Sequence, residues 1–296
     1  MKYIISTLII LIIIKTGNAQ GCSDAGICSI DFSGESSKTV LSIQQSFGLH
    51  DTDGTSIFKT SLSGKINAFG MFAFVELPFY YTQGKLGSLS GVGDIMLSFG
   101  IPYHDFIFNL GFKIPTNDAN KLDGKNPLPM AYQTSQATTD LLLVINYKYK
   151  SYKFSSGYQH ILSNNNNNEY FNLNEGNTYS SINIRRGNDI FLSAKREFAF
   201  EKIGYLLGFN TIYRLQKSIV VSPNILNSHP FIEEPEKYKV SDSQGLTLNL
   251  IGSINYQIDN KNIIVLDLGL PLNFRKDIRD GLKRVFEANL KFNYSF

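Results

Sequence analysis

From residue 39 onward, hydrophobic and polar residues alternate over stretches of about ten residues. The final stretch divides most clearly, with Phe286, Ala288, Leu290, Phe292, Tyr294 and Phe296 on one side and Glu287, Asn289, Lys291, Asn293 and Ser295 on the other. The stretches 105–115 and 244–258 divide in the same way. Because successive side chains of a β-strand point to opposite faces, each stretch predicts a strand with one apolar and one polar face.

Two architectures use strands of this kind. A soluble β-sandwich packs the apolar faces inward, whereas a membrane barrel turns them to lipid and keeps a polar interior. The strands here are ten or more residues long, which matches the roughly 9–11 residues that a tilted strand needs to cross a bilayer. Aromatic residues such as Tyr80, Tyr81, Tyr103 and Tyr256 fall near strand ends, as they do at membrane interfaces. The sequence therefore predicts an all-β fold, a transmembrane antiparallel β-barrel.

The alternation predicts twelve strands, at 39–49, 56–66, 70–82, 91–103, 105–115, 137–150, 152–162, 188–198, 202–216, 244–258, 262–272 and 284–296. Short turns and longer polar connections then alternate, as in bacterial barrels with an even strand number. The segment 179–184 also alternates, but a thirteenth strand would place the long connection 217–244 on the wrong side of the membrane. We interpret it as an extension of the eighth strand, and ten or fourteen strands stay open as alternatives.

The first nineteen residues have the features of a secretory signal. Lys2 is followed by a largely apolar run of twelve residues, 3–14, and by the small residues Gly17 and Ala19, which predicts cleavage after Ala19. A membrane helix would need about 20 apolar residues. We therefore expect an exported protein with three parts: a signal peptide at 1–19, an N-terminal segment at 20–38 and the barrel at 39–296.

The segment 20–38 contains the two cysteines of the chain, Cys22 and Cys28. In an exported protein we expect them to form one small disulfide loop. Their surroundings offer no complete metal site, and no cofactor is expected. We hypothesise that the segment folds into the barrel as a plug, in which case deleting it would change the conductance.

Charge narrows the possible partners. Lysine and arginine number 28 against 25 aspartate and glutamate residues, and without Lys2 and Lys15 the balance becomes 26 against 25. A near-neutral chain without a basic cluster argues against binding of nucleic acid. The expected partners are the lipid of the outer membrane, a small-molecule solute and the barrel-assembly machinery, since the C-terminal strand ends on the aromatic Phe296.

One pair of strands carries a more specific motif. The sequence Gly91-Val92-Gly93-Asp94 begins one strand, and the next ends in Lys113-Ile114-Pro115-Thr116-Asn117-Asp118. This pair resembles the outer-membrane family named after the meta-pathway of phenol degradation, with Asn117 where that family commonly has Gly. The preceding segment 75–80 is similar to the family's third strand, and the match covers roughly 70–118. Members are regarded as transporters distantly akin to long-chain fatty-acid porins, so the resemblance implies passive transport of small solutes, with hydrophobic compounds among the candidates.

Charged residues of both signs lie on the polar faces that would look into the lumen. The candidate lumen and transport residues are Lys59, Glu76, Asp94, Lys113, Asp140, Arg214, Asp267 and Glu287. They fit a salt-bridged lumen that braces the wall, and equally a narrow conduit that selects its solute. Phe72, Phe74, Leu206 and Ile212 share the inner face and favour a hydrophobic passage.

Two other classes of function stay open. A structural or partner-binding barrel would keep its lumen closed and bind through the long connections 163–187 and 217–244. An outer-membrane lipid-modifying enzyme would need a histidine and an acid or serine at the outer rim. The four histidines, His50, His104, His160 and His229, lie in no such spacing, so we do not expect an enzyme.

Overall fold

The protein is described by a computed structural model. The structure describes residues 38–50, 54–124, 126–163, 184–221, 237–273, 275, 280 and 284–296. They form seventeen strands: β1 (Val40–His50), β2 (Ser56–Ala68), β3 (Met71–Gly84), β4 (Gly87–Val92), β5 (Ile95–Tyr103), β6 (Phe106–Ile114), β7 (Leu122–Asp123), β8 (Asn126–Pro127), β9 (Asp140–Tyr149), β10 (Tyr152–Ile161), β11 (Asp189–Phe200), β12 (Ile203–Arg214), β13 (Ile219–Val221), β14 (Lys237–Lys239), β15 (Gly245–Gln257), β16 (Asn262–Asn273) and β17 (Arg284–Ser295). In these residues no helix is long and apolar enough to cross a membrane.

The long strands form one closed antiparallel barrel. Its order is β2-β1-β17-β16-β15-β12-β11-β10-β9-β6-β5-β3-β4, and the pairing of β2 with β3 closes it. Strands β4 and β5 both pair with β3, along its two halves, so they occupy one position in the wall. The thirteen strands of this sheet therefore make twelve wall positions, and the prediction of a twelve-stranded barrel is confirmed.

Tight hairpins lie at one end of the barrel, which we call the turn end. They are the connections β2–β3, β5–β6, β9–β10, β11–β12 and β15–β16. In the first, Phe69 and Gly70 have φ angles of 53° and 74°, as a type I′ hairpin turn requires. Both ends of the barrel chain lie here, where the Phe296 N–H donates to the Thr39 carbonyl at 3.0 Å. The opposite end, which carries the longer connections, is the loop end.

The two faces of the wall have opposite chemistry. Large apolar side chains such as Leu62 and Leu207 are more than half exposed on the outside, whereas Lys59, Asp140 and Arg214 are at most 4% exposed on the inside. Aromatic rings meet on the outer face near the turn end, where Phe106 stacks on Tyr147 with 4.7 Å between ring centroids. This inverted arrangement is typical of a barrel in lipid.

Three local predictions were wrong. The connection between the predicted strands 70–82 and 91–103 is a hairpin in which Gly84 pairs with Gly87, because the alternation of β3 continues past the expected strand end. The predicted strand 91–103 is interrupted, since Gly93 donates to the Pro78 carbonyl outside the regular ladder. Tyr80 lies against Gly93, where an added Cβ would come within 2.2 Å of its ring. Its ring is therefore on the inner face rather than in the outer aromatic belt.

Several predictions fall outside the described residues. These are the signal peptide, the segment 20–37, the pairing of Cys22 with Cys28 and residues 179–183. Ile184, the last residue of the predicted strand extension, lies in no strand. Arg185 forms an isolated bridge with Ile219.

Candidate functional site

The lumen-facing residues of one wall follow a common order from the loop end to the turn end. A charged residue comes first, then apolar residues, then an amide or a hydroxyl group, and then a lysine. Strand β9 presents Asp140, Leu142, Val144, Asn146 and Lys148, and β11 presents Asp189, Phe191, Ser193 and Lys195. Both strands pair with β10, and through it the apolar, the amide or hydroxyl and the lysine levels of the two strands coincide, whereas Asp189 is level with Leu142. The residue classes therefore form layers across the wall.

Arg214 is the centre of the charged layer at the loop end. Its Nε and Nη2 atoms donate to the two carboxylate oxygens of Asp189 at 2.8 and 2.9 Å, and its Nη1 donates to Asp280. Arg275 reaches the same Asp280 at 3.3 Å and donates to the Ser243 carbonyl at 2.7 Å. Asp189 and Arg214 are register partners in the wall, whereas Asp280 and Arg275 belong to the β16–β17 connection. The network therefore joins a loop to the wall.

The ionisation of Asp280 follows from this network. Burial alone would raise the pKa of its carboxyl, but the guanidinium groups of Arg214 and Arg275 outweigh burial and hold the pKa below its ordinary value. Asp280 is therefore charged at neutral pH.

A second ionic cluster lies nearby at the loop end. Lys113 Nζ is 2.7 Å from Asp140 and 3.7 Å from Asp94, and Arg186 donates to Asp140 at 2.8 Å. Asp94 also accepts hydrogen bonds from the Ser135 hydroxyl and the Gln136 N–H. This cluster attaches two further connections to the wall, those on which Arg186 and Ser135 lie.

The opposite wall carries the remaining predicted charges. Lys59 Nζ is 3.1 Å from Glu76, and both side chains are nearly buried. Glu287 is 6% exposed. Asp267 is half-buried and lies in register with Ser253 on one side and Asn289 on the other.

An apolar layer lies beneath the charged layer. Six buried side chains from β3, β5, β9, β11 and β12 pack together inside the barrel, namely Phe74, Met96, Leu142, Val144, Phe191 and Ile212. Three of them, Leu142, Val144 and Phe191, are at most 1% exposed. Because β3 and β9 are separated in the wall by β5 and β6, the cluster extends around a large part of the lumen.

Next to the apolar layer lie polar side chains without partners. Both amide atoms of Asn109 and Asn146 and the hydroxyl groups of Ser98 and Ser193 are buried without a hydrogen bond among the described residues. Leaving a buried polar group unpaired costs about 1–3 kcal/mol, and such groups are few in native structures. A cluster of them calls for an explanation other than stability.

The β6–β9 connection folds over the β3–β4 hairpin at the loop end. Tyr132 and Leu128 pack against Leu89, and Thr82 donates to the Tyr132 carbonyl at 2.7 Å. An added Cβ on Gly84 would come within 2.1 Å of the Tyr132 hydroxyl, so this contact requires glycine.

Two histidines are described with their side chains. His160 lies on the lipid-facing side of β10, stacked on Tyr158 with ring centroids 6.0 Å apart, whereas Ser155 faces the lumen. His104 is in the β5–β6 turn against Tyr103. Neither contact is with a carboxylate. The His50 side chain and His229 lie outside the described parts of the structure.

Solved structures share the barrel shape. The translocator domain of the autotransporter NalP from Neisseria meningitidis aligns over 93% of this chain and 94% of its own, with 7% identity and a TM-score of 0.49. The NanC porin aligns over 86% and 98%, with 8% identity and a TM-score of 0.45. The toluene transporter TbuX of Ralstonia pickettii aligns over 88% and 90%, with 8% identity and a TM-score of 0.42.

These likenesses concern the fold alone. No model of a known protein family matches the chain, and no curated protein matches it in sequence. The resemblance to the meta-pathway family, based on the motif at 91–118, stays a prediction.

The eight predicted lumen residues lie on the inner wall or, for Asp94, at the break between β4 and β5. The structure joins Lys59 with Glu76, and Lys113 with Asp94 and Asp140, in ion pairs. Sequence reasoning missed Asp189, Arg186, Arg275 and Asp280. Asp189 could have been found, since it lies an even number of residues from Lys195 in β11 and therefore points into the lumen as Lys195 does. The other three lie in connections, where no alternation indicates a direction.

Proposed function

We propose that this protein is an outer-membrane barrel for the passive transport of small solutes with apolar character. The observation that supports this most directly is the apolar layer of six buried side chains inside an otherwise polar lumen. A barrel that only needed bracing could fill this level with paired polar side chains. Apolar side chains at this level would instead offer favourable contacts to an apolar solute in transit.

The orientation of the barrel is part of the proposal. By the general rule for such barrels, the turn end faces the periplasm and the loop end faces outward. The C-terminal strand, with Phe296 63% exposed at the turn end, would present the signal read by the assembly machinery. The motif at 91–118 agrees with the meta-pathway family of transporters. Among the described residues, the ring contacts of His104 and His160 are with tyrosines, and we do not propose an enzyme.

The second candidate is a structural or partner-binding barrel with a closed lumen. It is favoured by the ion pairs at the loop end, in which Arg214 and Asp140 of the wall bind Asp280 and Arg186 of the connections. A barrel with this network permanently intact would pass no solute.

Single-channel recording separates the two candidates. Residues 20–296 are refolded and inserted in a planar bilayer, with a second chain that lacks 20–38 as comparison. Discrete openings of either chain support a conduit, and openings that appear only without 20–38 support the plug hypothesis. A silent bilayer for both chains, with heat-modifiable and therefore folded protein, contradicts a conduit for ions and favours either lateral transport of a hydrophobic solute or the closed barrel.

A further inference from the structure

Asn109 and Asn146 lie on adjacent strands of the lumen wall. Asn109 of β6 is in register with Val144, and Asn146 of β9 is in register with Ile107. The two asparagines are therefore diagonal neighbours on the inner face, with about 7–8 Å between their Cα atoms. Their amide groups are not bonded to each other, so a polar group of a solute between them could bond to both.

Both asparagines are buried and unpaired. Asn109 is 5% and Asn146 1% exposed, and neither the Nδ2 nor the Oδ1 atom of either has a hydrogen-bond partner in the described part of the chain. Asn293 of β17 provides a contrast, because its Oδ1 accepts a hydrogen bond from Ser42 at 2.7 Å. An asparagine that serves to join neighbouring strands is bonded in this way.

Apolar side chains adjoin the two amides. Val144 lies between Leu142 and Asn146 on the inner face of β9, and both Val144 and Leu142 belong to the packed cluster with Phe191. An added Cβ on Gly100 would meet both the Phe72 ring and Asn109 Oδ1, which places an aromatic ring close to that amide. Apolar walls with a few unpaired polar groups are typical of a site for an amphipathic small molecule.

We propose that Asn109 and Asn146 form a binding site for the neutral polar group of a solute whose compact apolar body rests on Val144, Leu142 and Phe191. The polar group is one that both donates and accepts hydrogen bonds, an amide or a hydroxyl, because each asparagine offers a donor and an acceptor. This inference rests on the proposed transport function and defines the solute class of the same lumen.

The charges around the site favour a neutral solute. Lys113 is paired with Asp140 at 2.7 Å, and Asp189 is held by two hydrogen bonds from Arg214. At the turn end, Lys153 is paired with Glu197. A charged solute would have to lose its hydration and compete with these ion pairs for a counter-ion, whereas a neutral amide or alcohol exchanges its water for the asparagine side chains.

The test measures equilibrium binding by saturation-transfer NMR to refolded residues 20–296 in lipid nanodiscs, with empty nanodiscs as background. The probes share one ring: cyclohexanecarboxamide, cyclohexanol, and cyclohexanecarboxylate as the charged control. We expect the carboxamide or the alcohol to bind at least tenfold more tightly than the carboxylate. The better of the two identifies the polar group as amide or hydroxyl.

The variants Asn109→Leu and Asn146→Leu keep the side-chain size and remove the hydrogen-bonding atoms. We expect each to weaken binding of the neutral probe at least tenfold without lowering the stability of the barrel, since no protein hydrogen bond is lost. The matched control Asn293→Leu loses its bond with Ser42 and should lower stability while binding is retained.

Three results would overturn the proposal. Unchanged binding in both asparagine variants, in a barrel that conducts, would refute the site and leave the transport function standing. Strong destabilisation by the variants would show a structural role. Absence of neutral-probe binding, together with a silent bilayer, would remove the transport function and the site with it.

Discussion

Replacing Arg214 by methionine tests whether the loop-end network stabilises the barrel. Arg214 and Asp189 are each 1% exposed, and two hydrogen bonds of 2.8 and 2.9 Å join them. Methionine keeps much of the side-chain volume and removes the charge. Asp280 retains Arg275 at 3.3 Å, but Asp189 loses both bonds and stays buried.

The expected loss follows from the uncompensated carboxylate. Removing one partner of a buried ion pair typically costs about 3–5 kcal/mol, whereas replacing both partners by apolar residues of similar volume is often neutral or stabilising. We therefore expect Arg214→Met to lower the free energy of unfolding by about that amount. The double variant Arg214→Met, Asp189→Leu should recover most of the loss.

Urea unfolding of the refolded barrel in phospholipid vesicles, followed by far-ultraviolet circular dichroism, measures both values. If Arg214→Met lowers the free energy of unfolding by less than about 1 kcal/mol, the loss is that expected for an exposed ion pair. This result would refute a buried pair at this position. A double variant as unstable as the single one would show that the unpaired Asp189 is not the cause of the loss.

Three further changes have defined outcomes. Because the folded-state pKa of Asp280 lies below the ordinary value, the contribution of its charge to stability is complete above about pH 4 and is lost as pH falls further. In Asp280→Asn, the free energy of unfolding in urea should therefore depend less on pH below about pH 4. Phe296→Ser should reduce insertion into the outer membrane of cells, seen by fractionation, while refolding into vesicles in vitro stays unchanged. Gly93→Ala places a Cβ 2.2 Å from the Tyr80 ring and 3.0 Å from a backbone oxygen and should lower the urea midpoint, whereas Gly252→Ala, with no atom within 4 Å, should not.

The barrel could be predicted because one physical rule governs almost every strand. A strand between lipid and lumen must alternate, and it does so from Val40 to Ser295 with few interruptions. The inward direction of Lys59 and Asp140 followed from the same parity. The break at Gly93 was not predicted, because it depends on the contact of Gly93 with Pro78 and Tyr80 across the ladder, which no local pattern shows.

The partners of the lumen charges could not be predicted. Parity shows that Arg214 faces inward, but Asp280 lies 66 residues away in a connection. Whether an inward amide is bonded also depends on the neighbouring strand. Asn293 has Ser42 opposite and Asn109 has Val144. The register is not sufficient either, because Asn146 has Ser155 opposite and is unbonded among the described residues.

The contacts at the loop end are of two kinds, and passage of a solute would break only one of them. Asp189 and Arg214 both belong to the wall, so their pair can stay intact while the loop end opens. Asp280 and Arg186 belong to connections, and their contacts with Arg214 and Asp140 must break before these two residues can move away from the wall.

Two charge-assisted hydrogen bonds contribute about 3–6 kcal/mol together, and at about 1.4 kcal/mol per factor of ten the state with both contacts released would hold at most ~10⁻² to ~10⁻⁴ of the molecules. Recordings of the unmodified barrel should therefore show rare, brief openings. Asp280→Asn weakens one of the two contacts and should raise the open probability roughly 10–100-fold. The matched wall variant Asp189→Asn should leave that probability unchanged, because its bonds do not hold a connection. Equal effects of the two variants would show that the loop end opens by loosening of the wall rather than by release of the connections.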